Sequence, residues 1–304
     1  MSEFLQQLVN GVTWGSVYAL IALGYTMVYG IIQLINFAHG EVFMVGAFGG
    51  LFAYTHWLTG LPNIVALVIV LTAAIGTSVL TAVVMERFAY RPLRNAPRLA
   101  PLITAIGVSL MLQELVRLYY PPNGAKTDRV FPSLLGNKNL RLGGVLVPRV
   151  GLFIVVLAVI LMLALSGFVR GSRTGKAMQA TAQDRDTAQL MGIDTDKIIV
   201  VAFVLGAALA GVAGVMQGLL VGTIGFRIGF IAGIKAFTAA VLGGIGNIAG
   251  AVLGGFVIGI VETMATQYVP SGSAWKDVWA FVVLIVILVF RPQGLLGERV
   301  VNRA

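Results

Sequence analysis

No cysteine occurs in the 304 residues, which excludes disulfides, thiolate nucleophiles and Cys-ligated metals together. Histidine is almost as scarce, and two residues leave little material for a zinc site or a Ser-His-Asp arrangement. Charge is the third scarcity: Asp, Glu, Lys and Arg make up 11% of the chain, well below the roughly 25% of an ordinary soluble domain. No Lys or Arg precedes Arg87, and the missing basic start argues against a cleaved leader. What remains is apolar, 58% of all residues. The formal charge of +9 would suggest nucleic acid in a soluble protein. Here the basic residues sit between hydrophobic runs, where they set orientation in a bilayer instead. Nucleic acid is therefore not expected as a partner, and lipid is. The 38 glycines follow no G-X-Y period and lie within apolar stretches, which fits close helix packing.

A helix crossing the hydrocarbon core needs about 20 apolar residues. Nine runs approach that length, at 8–32, 42–58, 64–85, 99–116, 150–169, 198–222, 230–246, 247–268 and 274–291. The sequence thus predicts an all-α polytopic membrane protein with eight or nine transmembrane helices, in a single domain over 1–304. Two runs are marginal as full crossings. Residues 230–246 include Lys235 and a glycine cluster, and the last run is uninterrupted only over 278–290, which reaches about 20 Å at the α-helical rise. Lys276 and Arg291 would have to snorkel at its ends.

Orientation follows from basic residues in the connections. Arg87, Arg91, Arg94 and Arg98 place their loop on the cytoplasmic side. The connection 170–197, with Arg170, Arg173, Lys176, Arg185 and Lys197, returns to that side, and Arg291, Arg299 and Arg303 join it. The connection 119–149, with Lys126, Arg129 and Lys138, is then external. The first residues carry no such signal: three crossings before Arg87 put Met1 outside, whereas a re-entrant segment near 36–40 puts it inside.

Ala202, Gly206, Ala210, Gly214, Gly218 and Gly222 recur every four residues and lay a small-residue stripe along one span. Gly246, Gly250 and Gly254 repeat the device, with Gly255 and Gly259 beside them. Such stripes pack helices within a chain or against a second membrane subunit. Irregular glycine-rich backbone at membrane depth is tolerated where it is buried in protein or lines a water-filled cavity, so 242–246, with Gly243, Gly244 and Gly246, is the better pore candidate.

Ionisable residues inside spans are costly and mark candidate functional positions. Glu114 lies three residues before Arg117, a spacing that predicts a local ion pair. Lys235 and Glu262 fall in consecutive apolar segments and can neutralise each other across a helix pair, or contact substrate or a gate. The segment Asn36-Phe-Ala-His39-Gly-Glu41 sets three polar side chains and a glycine between two apolar runs. It reads equally as a tight cytoplasmic turn or as a half-helix inside the bundle, a feature that commonly marks transport sites. Asn36, His39, Glu41, Lys235, Gly243, Gly244, Gly246 and Glu262 are accordingly the candidates for a translocation path or its gate.

The longest polar connection, 170–197, contains helix-forming residues from Lys176 to Met191. Gly192 follows as a stop signal, and Asp194 or Thr195 can cap the next span. One helix there would group Ala177, Thr181, Ala188 and Met191 on a side, either a solvated connector or a docking helix for a cytoplasmic partner. Gly171-Ser-Arg-Thr-Gly175-Lys176-Ala177 mimics a phosphate loop but is one residue short between glycines and has Ala where a magnesium-binding hydroxyl belongs. Gly244-Ile-Gly246 lacks the βαβ setting of a dinucleotide site. The chain should bind no nucleotide and hold no cofactor itself.

Taken together, Asn10-Gly-Val-Thr-Trp-Gly-Ser-Val-Tyr-Ala-Leu20, Gly24-Tyr-Thr-Met-Val-Tyr-Gly30, Ile35-Asn-Phe-Ala-His-Gly-Glu41 and Lys235-Ala-Phe-Thr-Ala-Ala-Val-Leu-Gly-Gly-Ile-Gly246 closely resemble permease subunits of bacterial branched-chain amino-acid ABC transporters, of the LivH type. The likeness runs from about residue 10 to 297. It implies a translocation subunit, not an enzyme, in the bacterial inner membrane. Its partners would be a second homologous permease, two cytoplasmic ATPase subunits that bind ATP and Mg, and an external solute-binding protein. The resemblance makes 170–197 the cytoplasmic coupling segment, with Lys176, Ala180, Ala182, Asp184, Met191 and Gly192 as candidate ATPase contacts. The stretch Ala180-Thr-Ala-Gln-Asp184 departs from the Glu-Ala-Ala start of the general importer pattern. Leucine, isoleucine, valine or related amino acids are the expected solutes, with urea or short amides as the alternative in the same family. From another class, a stand-alone secondary transporter or channel would use His39, Glu41, Lys235 and Glu262 as proton or ion sites.

Overall fold

A computed structural model describes residues 2–297 apart from 35, 59, 95, 98, 122, 123, 137, 138, 143, 144 and 292. Arg98, Lys138, Arg299 and Arg303 of the charge argument, and Ile35 of the polar motif, lie outside the described residues. Each of the nine apolar runs becomes one helix: α1 (Ser2–Ile32), α2 (His39–Trp57), α3 (Asn63–Met85), α4 (Leu99–Tyr119), α5 (Arg149–Gly171), α8 (Thr195–Val221), α9 (Ile228–Gly243), α10 (Ile248–Tyr268) and α11 (Gly272–Phe290). The connection after α5 supplies α6 (Arg173–Gln183) and α7 (Arg185–Leu190). Among the described residues seven helices are long and apolar enough to cross a membrane, α2 and α9 being the two of the nine outside that set. This is a multi-pass membrane protein.

Of the two marginal runs, one stays short and the other does not. With 16 residues, α9 is about 24 Å long, short of the roughly 30 Å hydrocarbon core. The last span is longer than the run 278–290, because α11 starts at Gly272 and takes Lys276 and Asp277 into its second turn. The fold is also not purely helical. In the connection 119–149, β2 (Asn139–Leu142) and β3 (Val145–Pro148) pair antiparallel, and β1 (Arg129–Val130) pairs with β4 (Thr223–Ile224) after α8.

Contacts fix the direction of the bundle. Gln6 in the first turns of α1 exchanges two hydrogen bonds with the backbone of Leu146 in β3, at 2.9 and 2.8 Å, so α1 begins on the side of 119–149. At the other end Arg91 and Arg94, just past α3, meet Asp196 in the first turn of α8, and Arg185 of α7 reaches the same carboxylate. The arginine-rich connections therefore share one side of the bundle, and α1 begins on the side of 119–149, which α5 links to them.

Glycine decides the packing. α1 and α8 are the most enclosed helices, while α3, α4, α5 and α11 present much of their apolar surface outward, as helices bordering lipid or another subunit do. Along α8, a Cβ on Gly206 would lie 3.2 Å from Gly24 of α1, one on Gly214 would meet Phe43 and Ala47 of α2, and one on Gly218 the ring of Phe131. The four-residue stripe is thus consumed inside this chain. α10 uses two such faces, Gly250 and Gly254 against α9, and Gly255 and Gly259 against Ala19 and Gly15 of α1.

Candidate functional site

Among the described residues three polar concentrations stand out: one in the half of the bundle toward 119–149, the expected external side, one at its centre and one at the expected cytoplasmic end.

In the outer half, Lys235 projects from the second turn of α9 to meet α10, α11 and α1. Its Nζ lies 2.8 Å from Glu262 Oε1 and 2.6 Å from Asp277 Oδ1. Tyr18 OH donates to Glu262 Oε2 at 2.7 Å, and Lys235 Nζ donates to Tyr18 OH at 3.3 Å. Lys235 and Glu262 are buried, whereas the Asp277 side chain keeps 43% of its exposure. The expected Lys235–Glu262 pair forms, and Asp277 joins it as a second carboxylate on one cation. Asp277 falls inside the run 274–291 but outside its uninterrupted part, 278–290, and nothing in the sequence marks it as a partner of Lys235. Glu262 sits six residues before the end of α10 and Asp277 five after the start of α11, which sets the cluster about 8–9 Å below the external helix ends. Two cavities open here. One, of 240 Å³, is lined by Asn10, Trp14, Glu262, Thr266, Ser273 and Lys276, among others. The second, of 220 Å³, is lined by Trp14, Gln217, Ile231, Glu262, Lys276 and Asp277, among others.

At the centre, α2 begins already inside the bundle. Both readings of the 36–41 motif apply in part: Asn36 lies in the turn before α2, where its Oδ1 accepts from Tyr90 OH at 2.6 Å, and His39 and Glu41 occupy the first turn of α2. All three are buried. The His39 ring packs edge-on to Tyr25 at 4.8 Å, and its Nε2 has no partner among the described residues. Glu41 Oε1 accepts from Ser109 Oγ at 3.0 Å and Gln113 Nε2 at 2.9 Å, which ties α2 to α4 at mid-helix. Its Oε2 makes no hydrogen bond among the described residues and faces Gly229. Gly40 abuts Gly229 and Gly233, so α2 meets the start of α9 backbone to backbone.

Gly243, Gly244 and Gly246 form the turn between α9 and α10, with φ of +103° at Gly244 and +93° at Gly246, a region where other residues are strained. Gly243 lies against Gly250, and Gly244 against Gly297. Leu295 N and Leu296 N donate to the carbonyls of Leu242 and Gly243 at 2.8 and 3.0 Å, so the chain end satisfies the terminal carbonyls of α9. Of the three, Gly246 has open space beside it.

At the cytoplasmic end the single helix expected over 176–191 is replaced by α6 and α7, broken at Asp184. The Asp184 side chain caps α7, with Oδ1 accepting from Asp186 N and Thr187 N at 3.0 Å each. Its hydrogen bonds from Thr187 hold the carboxyl below the usual aspartate range. The break shifts the helical phase: Thr181 and Ala188 are buried, but Met191 is 78% exposed, off their face. Lys176, Asp184 and Gly192 are exposed, and Ala180 and Ala182 half-buried. Leu190, not anticipated from sequence, is 87% exposed beside Met191 and makes an apolar tip. Gly192 adopts φ +82° and Asp194 accepts from Lys197 N at 3.1 Å, as the stop and cap signals predict. Behind the tip, Asp196 gathers Arg91, Arg94 and Arg185, and Arg94 also pairs with buried Glu86.

Residues 7–288 match the family described as branched-chain amino acid transport system / permease component. The chain is 46% identical to the high-affinity branched-chain amino acid transport system permease protein BraD of Pseudomonas aeruginosa, over 99% of this chain and 98% of that one. It is 45% identical to the LivH permease protein of Escherichia coli K12, over 99% and 97%, and 28% identical to a probable LivH protein of Methanocaldococcus jannaschii, over 95% and 91%. In fold it is similar to a chain of PsaBC from Streptococcus pneumoniae, with a TM-score of 0.52 at 13% identity over 95% of this chain and 92% of that one.

Proposed function

The chain belongs to the family of branched-chain amino acid transport permease components, and from that membership we propose that it forms one half of the membrane path of an ATP-driven importer for leucine, isoleucine, valine or related amino acids, in the bacterial inner membrane. The near full-length identity of 46% to a permease of that description carries the reading. A permease component is a translocation subunit rather than an enzyme. A second homologous permease completes the path, two cytoplasmic ATPase subunits bind ATP and Mg, and an external solute-binding protein delivers the ligand.

The placement of charge supports this division of labour. On the cytoplasmic side, the exposed tip Leu190–Met191, presented by α6 and α7, is the surface for an ATPase. α7 runs into α8 through the tight turn at Gly192 and Asp194, and Asp196 ties Arg185 to Arg91 and Arg94 at the foot of α3. Movement of the tip therefore passes to α3 and α8 without a flexible linker between. The other end of the same bundle holds the outer cavities beside Lys235, Glu262 and Asp277. Charged and polar side chains at that depth are costly against lipid, so this face meets water or protein.

The test is uptake by proteoliposomes holding the complete assembly. Labelled leucine should accumulate only with internal ATP and external binding protein, and unlabelled isoleucine and valine should compete where urea and short amides do not. Accumulation without the ATPase subunits would overturn the reading in favour of a self-sufficient transporter.

A further inference from the structure

We propose that the paired outer cavities are a way-station for the zwitterionic head of the solute, with the carboxylates of Asp277 and Glu262 and the amide oxygen of Gln217 receiving an ammonium group, Lys276 receiving a carboxylate, and Trp14, Ile228 and Ile231 covering an apolar side chain. The assignment rests on the amino-acid reading above and names the residues that would serve it.

Charge is the first ground. Lys235 is shared by two carboxylates, so the buried cluster carries one negative charge more than its own cation neutralises. Asp277 Oδ1 faces Lys235 Nζ at ion-pair distance, 2.6 Å, and neither Asp277 oxygen accepts a hydrogen bond among the described residues. The balancing positive charge is Lys276, one residue away on α11, which lines both cavities and has no ion-pair or hydrogen-bond partner among the described residues. A cation and an anion left open on one cavity wall match a solute carrying both charges on adjacent atoms. They do not match urea or an amide, which carries neither.

The second ground is an orphaned acceptor. Gln217 of α8 lines the 220 Å³ cavity together with Lys276 and Asp277 of α11, and its Oε1 is buried without a partner among the described residues. A buried acceptor left unmade is destabilising unless something donates to it. An ammonium group has three donors, enough to reach this oxygen and the Asp277 carboxylate together. Size is the third ground. The two cavities share Trp14, Glu262 and Lys276 in their walls, and at 240 and 220 Å³ each falls below the roughly 300–1,000 Å³ typical of drug-sized ligands. A single amino acid suits that scale.

The test uses the complete reconstituted assembly. A diazirine analogue of leucine, irradiated during ATP-driven turnover, should leave adducts on peptides containing Trp14, Ile228 or Ile231. Asp277→Asn and Lys276→Gln should each lower leucine uptake about ten- to a hundred-fold, the loss of one charge-assisted hydrogen bond. ATP hydrolysis stimulated by the loaded binding protein should persist in both, so that more ATP is spent per leucine moved. Adducts confined to other parts of the permease pair, or both variants transporting at wild-type rates, would overturn the assignment. If instead the wild-type assembly takes up no amino acid, the importer reading itself fails, a result distinguishable from the others.

Discussion

Replacing Lys235 by methionine removes the cation that Glu262 and Asp277 share at 2.8 and 2.6 Å, and leaves the buried Glu262 carboxylate and the part-exposed Asp277 carboxylate without it. Breaking a buried ion pair by deleting one partner typically costs about 3–5 kcal/mol, because the remaining charge is uncompensated. Lys235→Met should therefore raise the equilibrium constant for unfolding of the purified assembly in a mild denaturing detergent, by roughly a hundred- to several-thousand-fold relative to wild type. Glu262→Gln is the informative contrast. It keeps the Lys235–Asp277 contact and leaves an amide oxygen for Tyr18 OH, so the loss should be about 1 kcal/mol, that of an ordinary hydrogen bond. The triple variant Lys235→Met, Glu262→Gln, Asp277→Asn carries no charge in the cluster and should recover most of the stability of wild type, since the penalty is an unpaired charge and not a lost contact. If Lys235→Met is no worse than Glu262→Gln, or the triple variant no better than Lys235→Met, the cluster is not held by charge neutralisation and the reasoning is wrong.

A Cβ on Gly211 would fall 2.7 Å from the Ala74 carbonyl oxygen and 2.8 Å from Ser78 Oγ, so Gly211→Leu should abolish accumulation of folded protein in the membrane. Gly76→Leu, with nothing within 4 Å, should accumulate normally by immunoblot. Leu190→Asp together with Met191→Asp should weaken co-purification of the ATPase subunits without lowering the amount of permease, since both side chains are exposed. Arg185→Ala removes the contact between α7 and Asp196 but spares the Arg94–Glu86 pair, so uptake should fall while ATP hydrolysis continues; equal loss of both activities would contradict a transmitting role.

Much of the bundle is legible in the sequence because lipid imposes a simple length rule, and every apolar run gave one helix. Lys235 and Glu262 are legible for a similar reason, since neither can stay unpaired among apolar helices. Asp277 is not, because local hydropathy treats it as the edge of a run; the pairing that carries it into α11 comes from Lys235, 42 positions earlier. The exposed position of Met191 was hidden by Asp184, whose composition suits one continuous helix but whose side chain caps a new one. The short strands of 119–149 have two to four residues each, too few to set up a periodic pattern. Asp196 looks like a helix-start residue in sequence, and its three arginines come from two distant segments.

The glycine contacts and the two charged nodes bear on each other. Backbones touch through Gly24 and Gly206 and through Gly40, Gly229 and Gly233, with the buried side chains of His39, Glu41 and Tyr25 wedged against them. Close-packed interiors of this kind transmit strain instead of damping it. α8 enters that packing with Asp196 and its arginines at one end, and passes Gln217 at the other. α9 carries Lys235 out of the same contacts toward α10 and α11. On the proposed reading, a tilt applied at α7 should reach the outer cavities as a displacement of α8 and α9 relative to α11, the helix that bears Lys276 and Asp277 and exposes most of its surface. Widening any glycine in the node should then reduce uptake more than it reduces the amount of folded protein, and Gly206→Ala, with 3.2 Å to Gly24, is the mildest way to measure the difference. A proportional loss of both would show that the node holds the fold and conducts nothing.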